Sequence, residues 1–292
     1  MHKKIYIQLI GGLGNQLFQY TCAKNLSLKL GAEIVIDDSG GFKNDVLFKR
    51  KAELPKKLLT KKASWFEKKT FLLIKIIKKI FFNRKKFIAF GNSILIDETK
   101  EKKFINNFFE ITKKYKNIYL IGFFQSEKYF IENKVKIINS ITNNFKIHKS
   151  FLHLTKYINN QSIMVGLRMF EEAPIKIRKN FGGLENFSFV NNLILKLKKK
   201  NIYLFTTFKN EKILKKKIKC KFKIISPRQG YDANSFQYLS LMSNFKNLII
   251  TNSTFYWWAA YLAECKYKKK IKIFSSRKFT NKDTVPRRWM RT

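Results

Sequence analysis

The chain is short of cysteine, histidine and acid, and each shortage narrows what it can be. Its three cysteines, Cys22, Cys220 and Cys265, stand far apart with no C-x-x-C spacing, and an odd number does not suit a disulfide framework. A reducing compartment follows from that usage. His148 and His153 are five apart, not the i, i+4 of one helical face, and no cysteine is near them, so zinc has no support. No run approaches the roughly 20 apolar residues needed to span a bilayer. Met1-His2-Lys3-Lys4 leads into too short an apolar run for a signal peptide, so the expected location is cytoplasmic. Acidic residues number 19 against 61 lysines and arginines, a formal charge of +42. Nucleic acid, an anionic membrane surface or a phosphorylated substrate would each attract such a charge, and a codon bias toward Lys, Ile, Asn and Phe also produces it.

What is present is apolar bulk. A hydrophobic content of 45% with 29 Phe excludes a disordered chain, and 292 residues favour two domains. The polar stretch Lys146 to Gln161 is the natural boundary, giving domains 1–150 and 151–292.

The first domain opens on a βαβ pattern from Ile5 to Asp37. An apolar run (Ile5, Ile7, Leu9, Ile10) meets Gly11-Gly12-Leu13-Gly14-Asn15-Gln16, and apolar residues then recur every fourth position at Phe18, Cys22, Leu26 and Leu30. Gly31 suits the left-handed position past the helix end, and Ile34 to Ile36 reads as a second strand. Glycines before a helix start let backbone N–H groups approach an anion such as a phosphate. The dinucleotide fingerprint is excluded, because its third glycine would fall on Leu17. Gly12, Gly14, Asn15 and Gln16 are left as candidate residues of a nucleotide site of another kind.

Ser39 to Ser64 reads as a loose connection. From Phe71 to Phe90, Leu73, Ile76, Ile77, Ile80 and Phe81 recur at helical spacing while Lys75, Lys78 and Lys79 take other faces. Such a basic amphipathic helix fits an anionic membrane, or a core-facing role with its lysines in solvent. Ile118 to Ile121 reads as a strand, followed by Gly122-Phe123-Phe124-Gln125 and a helix capped by Ser126 that runs to about Phe145.

The second domain alternates strands (Ile163 to Leu167, Ile202 to Phe205, Phe222 to Ile225, Leu248 to Thr251, Ile271 to Phe274) with helical segments, the pattern of a parallel α/β sheet. Ligands of such sheets bind beyond the carboxyl ends of the strands. Arg168, Glu171 and Glu172 follow the first of these strands, and a guanidinium there can grip phosphate oxygens through two parallel hydrogen bonds. Asn252-Ser253-Thr254-Phe255 follows the fourth, with Ser253 or Thr254 as the natural cap of a helix whose free N–H groups would face an anion. At least one of Trp257 and Trp258 is expected in the core.

Gly11 to Tyr20 resembles the N-terminal signature of the alpha-1,2-fucosyltransferases, glycosyltransferase family 11. Gly122 to Gln125, Asn252-Ser253-x-Phe255-x-Trp257-Trp258, and the closing Val285-Pro286-x-x-Trp289 match the family's pattern in order. The family's His-x-Arg-Arg-x-Asp is matched in part: Gly166 replaces the histidine, Arg168 takes the first arginine, Met169 the second, and Glu171 the aspartate. Arg178, Lys179 or Arg228 could supply the missing charge.

The resemblance implies a GT-B fold, two Rossmann-like domains facing across a cleft, with the acceptor side in the first and GDP-fucose in the second. It implies inverting transfer of L-fucose to a glycan hydroxyl, O2 of galactose, with Arg168 on the diphosphate and Glu171 as base. No D-x-D sequence occurs, which agrees with transfer needing no metal cofactor. Bacterial relatives build surface polysaccharide at the inner face of the membrane on lipid-linked acceptors, so peripheral membrane contact is expected and a nucleic-acid partner is not. A same-fold enzyme using another nucleotide sugar, or a basic nucleic-acid-binding protein, are the alternatives.

Overall fold

A computed structural model describes residues 3–291 except 44, 176, 177, 179–182, 184, 199 and 200. It divides into two compact units, Met1–Asn144 with Asn281–Thr284, and Phe145–Thr280 with Val285–Thr292.

In the first unit, strands β1 (Lys4–Gln8), β2 (Glu33–Asp37), β3 (Phe87–Phe90), β4 (Ser93–Asp97) and β5 (Asn117–Ile121) form one sheet in the order β2-β1-β5-β4-β3. All neighbours are parallel except β3, which pairs antiparallel with β4. Helix α1 (Leu13–Leu30) joins β1 to β2, and Gly31 ends it in the left-handed conformation at φ 60°. Helices α2 (Trp65–Phe81), α3 (Phe108–Lys113) and α4 (Lys134–Thr142) complete the unit. Asn281–Thr284 belongs here because Lys282 N–H donates to Lys102 O (2.7 Å) and Asp283 accepts from Phe104 N–H (2.9 Å).

Two expectations are corrected. The helix expected over Phe71 to Phe90 starts earlier and stops earlier. Ser64 and Glu67 form a reciprocal capping box at its start, and beyond Phe81 the chain turns back into the β3–β4 hairpin through Gly91. Its orientation differs too. Phe71 and Ile74 pack against Tyr6, Val35, Leu95 and Tyr119, and Lys68, Lys75 and Lys78 turn inward beside them. Lys75 donates to Gln8 Oε1 at 2.6 Å, Lys78 pairs with Asp97, and Lys68 donates to Ser39 Oγ at 2.8 Å. Buried carboxylates at the strand ends need such partners, so they draw the lysines in and leave the apolar side chains outside. The helix expected from Ser126 is also broken: Glu127–Tyr129 and Ile131–Asn133 are 3-10 turns before α4. Phe130, Ile137, Ile138 and Ile141 are nevertheless buried, as the spacing implied.

The second unit has α5 (Leu152–Thr155) and then six parallel strands, β6 (Ser162–Leu167), β7 (Asn201–Thr206), β8 (Lys223–Ile225), β9 (Asn247–Ile250), β10 (Lys272–Ser275) and β11 (Met290–Arg291). Their order is β11-β10-β9-β6-β7-β8. Connecting helices α6 (Glu185–Leu197), α7 (Glu211–Lys217), α8 (Ser235–Met242) and α9 (Thr254–Tyr267) follow the expected alternation. Every residue of β6 is buried, as a central parallel strand covered on both faces requires. The chain leaves β6 toward β7 on one side and leaves β9 toward β10 on the other, so the sheet reverses between β6 and β9. In the first unit β1 and β5 lie side by side, and β5 leads to no further strand of that sheet. A reversal such as that between β6 and β9 is where open parallel sheets bind ligands.

Candidate functional site

The sequence signatures fall at the exits of β1 and β5 in the first unit and at the β6–β9 reversal in the second. In the first unit the glycine loop after β1 is tied to the Gly122-Phe123-Phe124-Gln125 loop after β5. Gln19 takes Ile10 N–H at 3.1 Å and gives its amide to Gly122 O at 2.9 Å, while Gln125 donates to Asn15 Oδ1 at 2.9 Å. Gly11 sits at φ 76°, which suits glycine. Gln16 has a structural part: it is fully buried and its amide bonds Gly11 O, Lys51 O and Glu53 N–H, pinning the loop before α2. Gly14 lies buried in the first turn of α1, and Gly12 holds its N-cap position. The Leu13 N–H at that helix start is bonded to Glu53 (3.2 Å), so an internal carboxylate takes a donor that a phosphate would use.

Glu98, which sequence reasoning missed, underlies the second loop. It follows β4 at 4% exposure and accepts from the N–H groups of Phe123 and Phe124, both at 3.0 Å. Asn281 reaches its other oxygen at 3.4 Å. Burial pushes its carboxyl up to about 7, against the pull of those three donors. A carboxylate placed directly after an apolar β-run was the available signal.

In the second unit Arg168 leaves β6 with its N–H on Thr251 Oγ1 (2.8 Å), and the same hydroxyl donates to Gly166 O (2.9 Å), so the β6 and β9 exits are joined. The guanidinium donates to Thr207 Oγ1 (2.9 Å) and Glu171 Oε2 (3.3 Å) and pairs with Glu172, with the Phe170 ring 4.6 Å from its centre. Phe170 lies at φ 53°, and Phe124 in the other loop shares that value. Left-handed bulky residues cost about 1–3 kcal/mol and gather where a loop shape is needed. Met169 is buried among Ile163, Val165, Leu167 and Val190, so the position of the family's second arginine is a core position here.

Asn252 is buried and donates to Lys278 O, bracing the β9 exit against the β10 exit. Ser253 occupies the N-cap position of α9 but makes no side-chain capping bond, and Thr254 and Phe255 open the helix half-buried. Trp257 and Trp258 are both fully buried, with Trp257 stacked on Tyr261 at 4.6 Å. Asn186 donates to Arg168 O (2.9 Å) and also lines a hollow of about 560 Å³ with Lys196, Arg277 and Lys278. Of the proposed substitute cations, Arg228 lies exposed on a 3-10 turn after β8, Arg178 is half-buried, and Lys179 lies outside the described residues.

Two Rossmann-like parallel units with loop signatures at the strand exits place the chain in the GT-B class of glycosyltransferases. Residues 4–290 match the family model Glycosyl transferase family 11, and the chain belongs to that family. It is 27% identical over 312 residues to an alpha-1,2-colitosyltransferase of Escherichia coli, covering 98% of each chain. Among solved structures it is similar to a mutant of Arabidopsis thaliana FUT1 in complex with GDP. There the TM-score is 0.55 and the identity 13%, over 94% of this chain and 70% of that one.

Proposed function

We propose that the chain is an inverting fucosyltransferase that moves L-fucose from GDP-fucose to a glycan hydroxyl, O2 of galactose. The carrying observation is Arg168, held at the reversal between β6 and β9 and joined through Thr251 to the Asn252-Ser253-Thr254 exit. In this reading Arg168 and the start of α9 hold the diphosphate, with Asn252, Ser253, Thr254 and Phe255 around it. The acceptor oxygen attacks the anomeric carbon, the carbon–oxygen bond to the β-phosphate breaks, and its electron pair stays on GDP. Arg168 then meets more negative charge than it met in the ground state, which is the condition for lowering the barrier. Glu171 takes the acceptor proton, and no metal takes part.

A second reading concerns the donor. The full-length relative is a colitosyltransferase, and colitose is L-fucose without its 3-hydroxyl. Gly166, Met169 and Glu171 also depart from the fucosyltransferase pattern. The two donors separate sharply, because a site that hydrogen-bonds a hydroxyl rejects its deoxy analogue by about 10⁴-fold or more. The test is GDP release from GDP-fucose, GDP-colitose, GDP-mannose and UDP-galactose in the presence of β-galactosides, with the product's anomeric configuration read by NMR. Turnover of GDP-fucose with inversion supports the first reading, preference for GDP-colitose the second, and turnover of UDP-galactose alone sinks both.

A further inference from the structure

The outer face of α2 is a feature that glycosyl transfer leaves unused. Trp65, Phe66, Leu72, Leu73, Ile76, Ile77, Ile80 and Phe81 are all exposed on it, Trp65 and Phe66 at 72% and Phe81 at 71%. Their spacing places them on one broad arc, opposite the Phe71 and Lys78 side that packs on the sheet. Exposed apolar faces of this extent mark an interaction surface.

We propose that this face docks α2 flat on an anionic lipid bilayer. Three observations select lipid. Aromatic side chains stand at both ends of the helix, Trp65-Phe66 and Phe81, where a helix lying in the interface anchors. Exposed cations complement acidic headgroups: Lys79 at the edge of the apolar arc, Lys69 within it over the Trp65 ring, and Arg84 and Lys85 just beyond the helix. Lys75 and Lys78, by contrast, are turned inward to Gln8 and Asp97, so the lipid-facing cations are a different set from those the sequence spacing suggested. A second copy of the chain fits poorly, because each copy carries +42 and would bring these cations together. Nucleic acid would use the cations and leave the apolar arc in water. The helix lies on a membrane, not across it: among the described residues no helix is long and apolar enough to cross.

The test is co-sedimentation of the full chain with phosphatidylcholine vesicles and with mixed phosphatidylcholine–phosphatidylglycerol vesicles. Trp65 is a built-in reporter, because Trp257, Trp258 and Trp289 are buried. Wild type should pellet with the mixed vesicles, stay in solution with phosphatidylcholine alone, and shift its emission to the blue on binding. Ile76→Glu/Ile80→Glu should lose roughly tenfold or more in partitioning, and Lys69→Glu/Lys79→Glu a comparable amount at low salt. All four positions are exposed, so unchanged thermal unfolding verifies that the fold survives. Trp65→Phe should keep binding and lose the shift. Equal pelleting of wild type and Ile76→Glu/Ile80→Glu would overturn the proposal, as would a lipid-free dimer that this variant disperses.

Discussion

The ring of Tyr256 lies flat against the backbone of Gly166, so that a Cβ added at 166 would come within 2.8 Å of both Cδ atoms. Tyr256 is itself fixed, its hydroxyl donating to Phe205 O at 2.9 Å inside the second unit. The space that a side chain at 166 would need is thus filled from α9. Gly166→Ala should lower stability by about 1–3 kcal/mol through overpacking, measured by urea unfolding. Tyr256→Phe should cost about 1–2 kcal/mol by orphaning the Phe205 carbonyl. An unchanged midpoint for Gly166→Ala would show that the ring can move aside.

The proposed reading gives the two carboxylates beside Arg168 different roles. Glu171→Gln should lower kcat by roughly a hundredfold or more, as removal of a general base does, without weakening GDP binding, since Glu171 too bonds the guanidinium. Glu172→Gln should tighten GDP binding, because Glu172 pairs with the guanidinium that the diphosphate would claim. Calorimetry with GDP and single-turnover kinetics distinguish the two. Equal loss of kcat in both variants would place the proton acceptor elsewhere.

Glu98 ties stability to pH. Its carboxyl is raised from 4.5 to about 7 in the folded chain, so the folded state holds a proton that the unfolded state has already released between those values. That contribution is complete below pH 4.5 and is lost as pH rises to about 7. Glu98→Gln should therefore gain on wild type across that window, by roughly 3 kcal/mol at most. Parallel stability curves from pH 4 to 8 would contradict the assignment.

Asp97 acts in the opposite sense. Burial alone would raise its carboxyl, but Lys78 and Thr99 outweigh it and hold the group below 3.8. Its contribution is present above that value and is lost as pH falls through the folded value. Lys78→Met should destabilise by about 3 kcal/mol at neutral pH by leaving a buried carboxylate unpaired, and Lys78→Met/Asp97→Asn should recover part of the loss. A double variant no better than the single would show that packing, not charge, sets the cost.

The alternating second unit was legible because buried parallel strands are continuous apolar runs: the five expected strands are all present, each within a few residues of its expected bounds, with helices between them. Sequence pattern misread α2, where periodicity identified the helix but not which face turns inward. Partners far along the chain settled that, namely Gln8, Ser39 and Asp97. Gln16 stood out as a ligand residue because amides at a helix entrance can bind one, yet its partners are the backbone of Gly11, Lys51 and Glu53. Glu98 carried only the faint signal of an acid after an apolar run, because its role depends on Phe123 and Phe124, which meet it only through the pairing of β4 with β5.

The most direct test of the central claim is titration of wild type and Arg168→Ala with GDP-fucose, GDP-colitose, GDP-mannose and UDP-galactose. The account predicts binding of a GDP-linked 6-deoxy sugar in preference to the other two, weakened roughly tenfold or more by Arg168→Ala, in keeping with loss of a charge-assisted phosphate contact. Equal affinity for all four donors, or GDP-fucose binding unchanged in Arg168→Ala, would contradict it.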